Sequence, residues 1–405
     1  MKQVNNQRWI QPRHRIVTDI LRAVIGPYAM LKYGVKVTKF QEQGNRQYLV
    51  VMNHQTPFDQ FFVGMAFQGP VYYIATEDIF SIGFVSSLIR YLVAPIPIKK
   101  QTMDLKAVKT CLQVAKEGGT IALAPEGNRT YSGKTEYMNP SIAKLAKKLK
   151  LPIAIFRIEG GYGVQPRWSD VVRRGKMRAY VAKVVEPEDY EQLSNEQLFE
   201  IIRDGLYVNE ACADGQFHHK KRAEYLERAI YVCPYCGLSK FESQGHLITC
   251  TSCGRKVEYA STKELKGQGF SFPFRFVSEW YEYQQSFVNG LDPEHYLQRP
   301  MFTDQANMLE VIAYHRKQPV MDNAELTLYG DRISVRDKTG QQMLFPFGEV
   351  SAVTVLGRNK ANIYHDGHIY QLKGGKRFNA LKYVNIFHRW TNIQEGDGNG
   401  KFLGL

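Results

Sequence analysis

The sequence predicts an α/β domain, with helices around a mixed sheet, followed by a compact cysteine module and a small mainly-β domain. Three observations predict that order. Strand-like and helix-like segments alternate from the N-terminus to about residue 220. Two Cys-x-x-Cys pairs then stand thirteen residues apart. Beyond residue 324 the texture changes to short strand candidates separated by Gly-Asp, Lys-Thr-Gly and Asp-Gly turns. At 405 residues the chain exceeds one ordinary hydrophobic core, and its 44% apolar content is ample for several packed ones.

In the first part, residues 1–220, strands are expected at Tyr48–Met52, Val71–Ala75, Ala94–Ile98, Thr120–Ala124, Ile153–Ile158 and Met177–Val185. Leu105, Val108, Leu112 and Ala115 recur at three- and four-residue spacing, which predicts a helix over Asp104–Glu117 closed by Gly118-Gly119. Pro140–Leu149 reads as a second helix, and the polar stretch Leu193–Leu226 as a third. The cysteine module occupies residues 228–260, and an aromatic-rich connection 261–320 follows without clean periodicity. Residues 321–395 form the last part: hairpins, then an amphipathic helix at about Asn379–Trp390 presenting Leu381, Val384 and Phe387. Hairpins closed by one helix resemble a pleckstrin-homology-like barrel, as a likeness of pattern.

The formal charge is +14, and up to residue 50 nine Lys or Arg stand against two Asp or Glu, a net of +7. A basic, partly apolar N-terminal segment suits an anionic membrane surface, and equally a basic solubilising surface. Nucleic acid is disfavoured as a partner, since nothing beyond the cysteine module resembles a recognition unit. No run of eighteen apolar residues occurs; the best stretch, Ile16–Tyr33, is interrupted by Asp19, Arg22 and Lys32. The first fifteen residues lack the apolar core and cleavage site of a secretory leader. A peripheral or monotopic protein at the cytoplasmic face of the cell membrane is the expectation.

Two polar clusters follow strand candidates. After Tyr48–Met52 comes Asn53-His54-Gln-Thr-Pro57-Phe-Asp59, where a helical step can return the Asp59 carboxylate to the His54 imidazole. A neutral imidazole can take the proton of an attacking alcohol, while a carboxylate fixes its tautomer and stabilises the imidazolium. Taken alone, such a pair also fits a surface contact or a helix cap. After Thr120–Ala124 comes Pro125-Glu126-Gly127-Asn128-Arg129-Thr130, and Lys134 soon after. Gly127 permits close backbone approach, and Arg129 can grip a phosphate through two hydrogen bonds. Cys111 lies within the Asp104–Glu117 helix and reads as a buried thiol rather than a nucleophile.

In order and spacing, these segments resemble the glycerolipid acyltransferase family that includes the 1-acylglycerol-3-phosphate acyltransferases. Asn53, His54 and Asp59 match its Asn-His-x4-Asp signature, and Ala124-Pro125-Glu126-Gly127-Asn128-Arg129 its Pro-Glu-Gly-Thr-Arg run. Leu151-Pro152-Ile153-Ala154-Ile155 matches its proline-opened strand. The resemblance spans roughly residues 15 to 210. It implies His54 as general base, Asp59 as its partner, and Glu126, Gly127 and Arg129, with Asn128 among them, around the acceptor phosphate. The chain departs from the pattern in three places: Lys99-Lys100 stands where a basic residue is often Arg, Thr76 where a lysine is common, and Asn128 where Thr is usual. Lys99 would act on phosphate or on a developing oxyanion as a point charge, without a guanidinium fork.

Cys233-Pro-Tyr-Cys236 and Cys250-Thr-Ser-Cys253, each followed by Gly, form the ligand pattern of a structural metal site, with Zn2+ favoured over iron and over two redox pairs. Four protein sulfurs leave no position for substrate, so the expected role is a zinc ribbon that stabilises its own small core. The combined expectation is acyl transfer from acyl-CoA or an acylated carrier protein to the hydroxyl of 1-acylglycerol-3-phosphate or a related lysophospholipid. An acyltransferase for another lipid acceptor, or an inactive adaptor that binds a membrane or protein partner through the ribbon or the C-terminal β domain, remains open.

Overall fold

The computed structural model describes residues 8–76, 84–98, 105–312, 317–396 and 403–404. The chain divides into two compact units, interleaved in sequence. Unit 1 comprises residues 1–129, 138–161 and 176–208; unit 2 comprises 130–137, 162–175 and 209–405.

Unit 1 opens with α1 (Pro12–Tyr33) and continues through β1 (Val35–Val37), β2 (Leu49–Met52), α2 (Asp59–Ala66), β3 (Val71–Thr76), α3 (Phe84–Val93) and β4 (Ile96–Ile98). It goes on with α4 (Leu105–Lys116), β5 (Thr120–Leu123), α5 (Ser141–Leu149), β6 (Ile153–Glu159), the first residue of a helical turn α6 (Gly161–Val164) whose other residues belong to unit 2, and β7 (Met177–Val185). A short α7 (Pro187–Tyr190) and α8 (Asn195–Leu206) complete it. The sheet order is β1-β7-β6-β2-β5-β3-β4. β6, β2, β5, β3 and β4 are parallel neighbours, and β7 runs antiparallel to β6, so the sheet is mixed as expected. The central strands are apolar on both faces because helices cover both: all four residues of β2 are buried, with Ile121, Ala122, Ile153, Ala154 and Ile155 beside them.

The strand expectations of this region hold to within a few residues. β1 was not visible in the sequence because three residues carry no period. The α4 expectation holds from Leu105, and Asp104 lies outside the described residues. Cys111 is buried on that helix, and burial pushes its thiol up to about 12, which removes it as a nucleophile. The helix expected over Leu193–Leu226 is a correction. α8 stops at Leu206, and residues 207–225 are irregular apart from single bridges and turns. Within unit 2 the Lys263 ammonium donates to the carbonyls of Glu210 (by a short contact) and Ala213 (2.6 Å), which fixes that backbone in a loop. Local polarity alone does not report such a distant capture.

Unit 2 contains the hairpin β8 (Val232–Cys233) and β9 (Gly237–Leu238), then an antiparallel sheet of β10 (Phe241–Gln244), β11 (Leu247–Cys250), β12 (Lys256–Tyr259) and β13 (Leu265–Gly267). The aromatic connection supplies α9 (Val277–Asn289), whose Trp280 ring lies 4.9 Å from Phe272 and donates its N–H to Val232 at 2.8 Å. A seven-stranded antiparallel sheet follows: β14 (Phe302–Glu310), β15 (Gln318–Leu328), β16 (Arg332–Arg336), β17 (Gln342–Pro346), β18 (Val350–Leu356), β19 (Lys360–His365) and β20 (His368–Gly374). Its order, β17-β16-β15-β14-β20-β19-β18, brings the first and last strands together. The closing helix α10 (Leu381–Gln394) packs on β18 and buries Leu381, Val384 and Phe387. β14 and the first half of β15 were missed because Asp304, Gln305, Asn307, Asp322 and Asn323 mask the alternation.

Candidate functional site

β2 and β5 are adjacent and parallel, with Leu49 opposite Ile121 and Val51 opposite Leu123, so their C-terminal ends lie side by side. The loops leaving those ends carry the two predicted clusters, at the position where ligands reach open parallel sheets. Their separation of 72 residues disappears: the backbone N–H of His54 donates to Glu126 Oε1 at 2.9 Å. On the other side of β2, Asn53 clamps β6, donating from Nδ2 to the Ile158 carbonyl at 2.8 Å and accepting at Oδ1 from the Ile158 N–H at 2.7 Å. One buried amide thereby fixes the start of the loop, and Glu126 fixes its next residue.

Asp59 opens α2 and is fully buried, whereas the His54 side chain keeps 26% of its surface exposed. His54 Nδ1 lies 2.8 Å from Asp59 Oδ2. The same carboxylate accepts from the N–H groups of Gln55 (2.6 Å) and Thr56 (3.0 Å) and from Thr56 Oγ1 (2.7 Å). These donors hold the buried carboxylate rigidly, as the acceptor of every bond it makes. It therefore requires the proton on Nδ1, which leaves the other ring nitrogen, Nε2, as a lone-pair acceptor. Thr56 was not singled out from the sequence. Its signal was the Thr-x-x-Asp spacing of a helix-start box, Thr56 to Asp59.

The second loop turns tightly, with the Gly127 N–H on the Ala124 carbonyl at 3.0 Å. Gly127 has φ +67°, a conformation a side chain would strain, although a Cβ there would meet no atom within 4 Å. The requirement for glycine is thus conformational, and the open space lies over an exposed backbone. Glu126 is buried, and Asn128 and Arg129 are half-buried beside it in sequence. The structure brings together His54, Asp59 and Glu126. Lys99, expected beyond β4, lies outside the described residues. Lys134 belongs to unit 2 and pairs there with Glu282 at 2.7 Å.

The four cysteines converge: the sulfurs of Cys233, Cys236, Cys250 and Cys253 all lie within 4.8 Å of one another, with Cys233 and Cys253 4.0 Å apart. Tetrahedral thiolate coordination at about 2.3 Å implies sulfur separations of about 3.8 Å, so the cluster fits a metal ion. Gly237 (φ +73°) and Gly254 (φ +71°) supply the left-handed turn after each pair, and the Gly254 N–H returns to the Cys250 carbonyl at 2.9 Å.

An α/β domain with a carboxylate-held imidazole at the ends of adjacent parallel strands is the class that fold and site define. The family described as Acyltransferase matches residues 34–158, a span that contains both loops, and this part of the chain is an acyltransferase-family domain. The crystal structure of the 1-acyl-sn-glycerophosphate (LPA) acyltransferase PlsC from Thermotoga maritima is similar at 23% identity, covering 47% of this chain and 76% of that one, with a TM-score of 0.39. The solution structure of the N-terminal PH domain of human ARAP2 is similar at 16% identity, covering 23% of this chain and 80% of that one, with a TM-score of 0.19. Scores of this size carry no argument, so the domain assignment rests on the family match. No curated protein matches the chain significantly.

Proposed function

We propose that this protein transfers a fatty acyl group from a thioester to the hydroxyl of 1-acylglycerol-3-phosphate or a related lysophospholipid. The observation that carries the reading is the His54–Asp59 pair at 2.8 Å, tied through the His54 backbone to Glu126 of the second loop. His54 Nε2 removes the hydroxyl proton as the oxygen attacks the thioester carbonyl carbon. The tetrahedral intermediate collapses, the carbon–sulfur bond breaks, and the imidazolium returns its proton to the departing thiolate. Asp59 stays ionised throughout and stabilises the imidazolium. Arg129 and the open backbone at Gly127 hold the acceptor phosphate. Acyl-CoA and an acylated carrier protein present the same thioester to this chemistry.

A surface on unit 1 supports work at a lipid interface. No helix among the described residues is long and apolar enough to cross a membrane. Yet α1 exposes Ile16, Ile20, Val24 and Leu31 at helical spacing, and α3, which it touches, exposes Phe84, Leu88 and Tyr91. Arg15, Lys32 and Lys36 are exposed along the same segment. Apolar side chains in such number, with cations among them, fit an anionic membrane surface on which the protein is peripheral or monotopic, at the cytoplasmic face. In unit 2 the four cysteines would hold Zn2+, whose contribution there is structural.

The test is transfer from radiolabelled oleoyl-CoA to lysophosphatidic acid by the full chain and by His54→Ala. Transfer by the first and its loss in the second, with secondary structure unchanged, is the expected result. Equal transfer by both would remove His54 as the base.

A further inference from the structure

Unit 2 contains a cavity of about 460 Å³ whose walls include Ser239, Lys240, Phe241, Lys376, Phe378 and Lys382. It draws on several pieces of sequence far apart: residues 227–231 before β8, the turn after β9 together with Thr251, the start of β14 and residues 375–382 at the start of α10. None of these residues belongs to the acyltransferase-family span or to the cysteine cluster.

The charges in this cavity are unevenly matched. Two of its carboxylates are committed to partners. Glu227 is held by Arg377 and by the Ser243 hydroxyl. Asp304 is held by Lys382 at 2.6 Å and by the Tyr383 hydroxyl at 2.6 Å. The Lys382 side chain is only 4% exposed; its ammonium, which carries three donors, pairs with Asp304 and lies 4.2 Å from the centre of the Phe302 ring. Burial draws the Lys382 pKa down, Asp304 opposes that, and the nearby charge of Lys240 adds to the lowering. Lys240 is exposed, with the Thr303 carbonyl as its contact at 2.5 Å, and the Lys376 side chain is also exposed. Against Lys240 and Lys376 stands only the exposed Glu242.

A second observation is independent of charge. The Ser239 hydroxyl is buried and has no hydrogen-bond partner among the described residues. Such a group is destabilising unless something fills its need. A buried ammonium repelled by Lys240, the exposed Lys376 on the same wall and a buried hydroxyl without a partner all favour the same guest, an anion with several acceptor oxygens. A phosphate dianion meets all of these, whereas a single carboxylate offers half the charge and fewer oxygens. The volume exceeds that of bare phosphate, and Phe241, Phe378 and Ile230 supply apolar wall for an organic body.

We propose that this cavity of unit 2 is a binding site for a phosphomonoester, held by Lys240, Lys376, Lys382 and Ser239, separate from the acyl-transfer site. The shared chemistry is the phosphomonoester, and its source is either a soluble metabolite or a lipid headgroup.

The test uses the full chain in two arms. Isothermal titration with glycerol 3-phosphate probes the soluble source. Sedimentation with phosphatidylcholine vesicles, with and without phosphatidic acid, probes the headgroup, and the difference between the two vesicle types is the readout. The variants are Lys240→Gln with Lys376→Gln, both exposed and tolerant of change; Ser239→Ala; and Arg129→Gln, which disables the other candidate phosphate contact. Saturable binding in either arm, weakened about tenfold or more by the double lysine variant, weakened by Ser239→Ala and retained in Arg129→Gln, is the expected result. The arm that shows it identifies the source. Binding lost in Arg129→Gln but kept in the double lysine variant would overturn the site, as would binding in neither arm or heats reproduced by chloride at equal ionic strength.

Discussion

The two units handle buried charge in opposite ways. In unit 1, the buried Asp59 spends its oxygens on Gln55, Thr56 and one imidazole nitrogen, and that imidazole stays partly exposed with its other nitrogen uncommitted. In unit 2, the buried Arg228 is consumed entirely within the fold: it makes a forked contact with Asp170 at 2.7 and 3.2 Å and donates to the carbonyls of Trp168 (2.9 Å) and Lys376 (2.6 Å). Burial works against the Asp170 charge, yet Arg228 and Arg358 hold its carboxyl below the usual range. The same ingredients therefore serve different ends. A charge network whose last member faces outward with a free lone pair is equipped for proton transfer, and one closed on itself fixes elements in register.

The sharpest break in that comparison is metal removal. Unit 2 contains four cysteines placed to coordinate a metal ion, so a strong zinc chelator is expected to unfold the ribbon, with a loss on the order of 10 kcal/mol of metal-linked folding energy. Zinc content by mass spectrometry, one ion per chain, and thermal melting before and after chelation check this. An unchanged melting profile in a chain shown to have lost zinc would contradict it.

Next in size is the site itself. Asp59→Asn is expected to lower the turnover number by about 10²–10⁴-fold, because the imidazole loses its tautomer restraint and its counter-charge. It should also destabilise unit 1, since amide nitrogen would face the Gln55 and Thr56 donors. Zinc content should not move. A variant with full turnover would place the proton transfer elsewhere.

Smaller again is the apolar surface of unit 1. Leu31→Ser combined with Phe84→Ser removes two of its most exposed side chains and is expected to weaken binding to anionic vesicles by about a hundredfold or more, at about 1.5–3 kcal/mol for each inserted side chain. Melting temperature should hardly change, because neither residue is packed. Vesicle binding that persists at full strength would move the interface off this surface.

The smallest effect lies in unit 2, at His388 on α10, whose imidazole burial lowers to about 4. Above the unfolded pKa of about 6.5 the ring is neutral in both states and the helix has its full stability. As pH falls from 6.5 towards 4, the unfolded chain takes up the proton first, and stability is lost on the order of 3 kcal/mol. His388→Gln is expected to flatten that part of the stability–pH curve relative to the original chain, measured by urea unfolding. Identical curves would show that the ring reaches water in the native state.

Much of this was legible in the residues. The central strands announced themselves as short apolar runs because helices on both faces leave no polar side. The Cys-x-x-Cys-Gly repeats were legible because thiolate coordination needs that residue type and that turn. β14 was hidden because its polar residues are answered by partners far along the chain, as Asp304 is by Lys382 and Tyr383. The Leu193–Leu226 stretch misled because Lys263, some fifty residues on, captures the Glu210 and Ala213 carbonyls that a helix would have used.

By itself the sequence determined which residues were candidates: His54 and Asp59 five apart, Glu126 to Arg129 after a strand, and four cysteines in two pairs. Chemistry of that kind depends on residue type and short spacing, which a linear string preserves. Only the tertiary structure decided that β2 and β5 are neighbours, that Glu126 therefore reaches the His54 amide, and that Asn53 ties the same loop to β6. It alone decided that Lys240, Lys382 and Ser239 line one cavity. Strand order and the meeting of distant loops are set by the packing of whole elements, and no local window of residues contains that information.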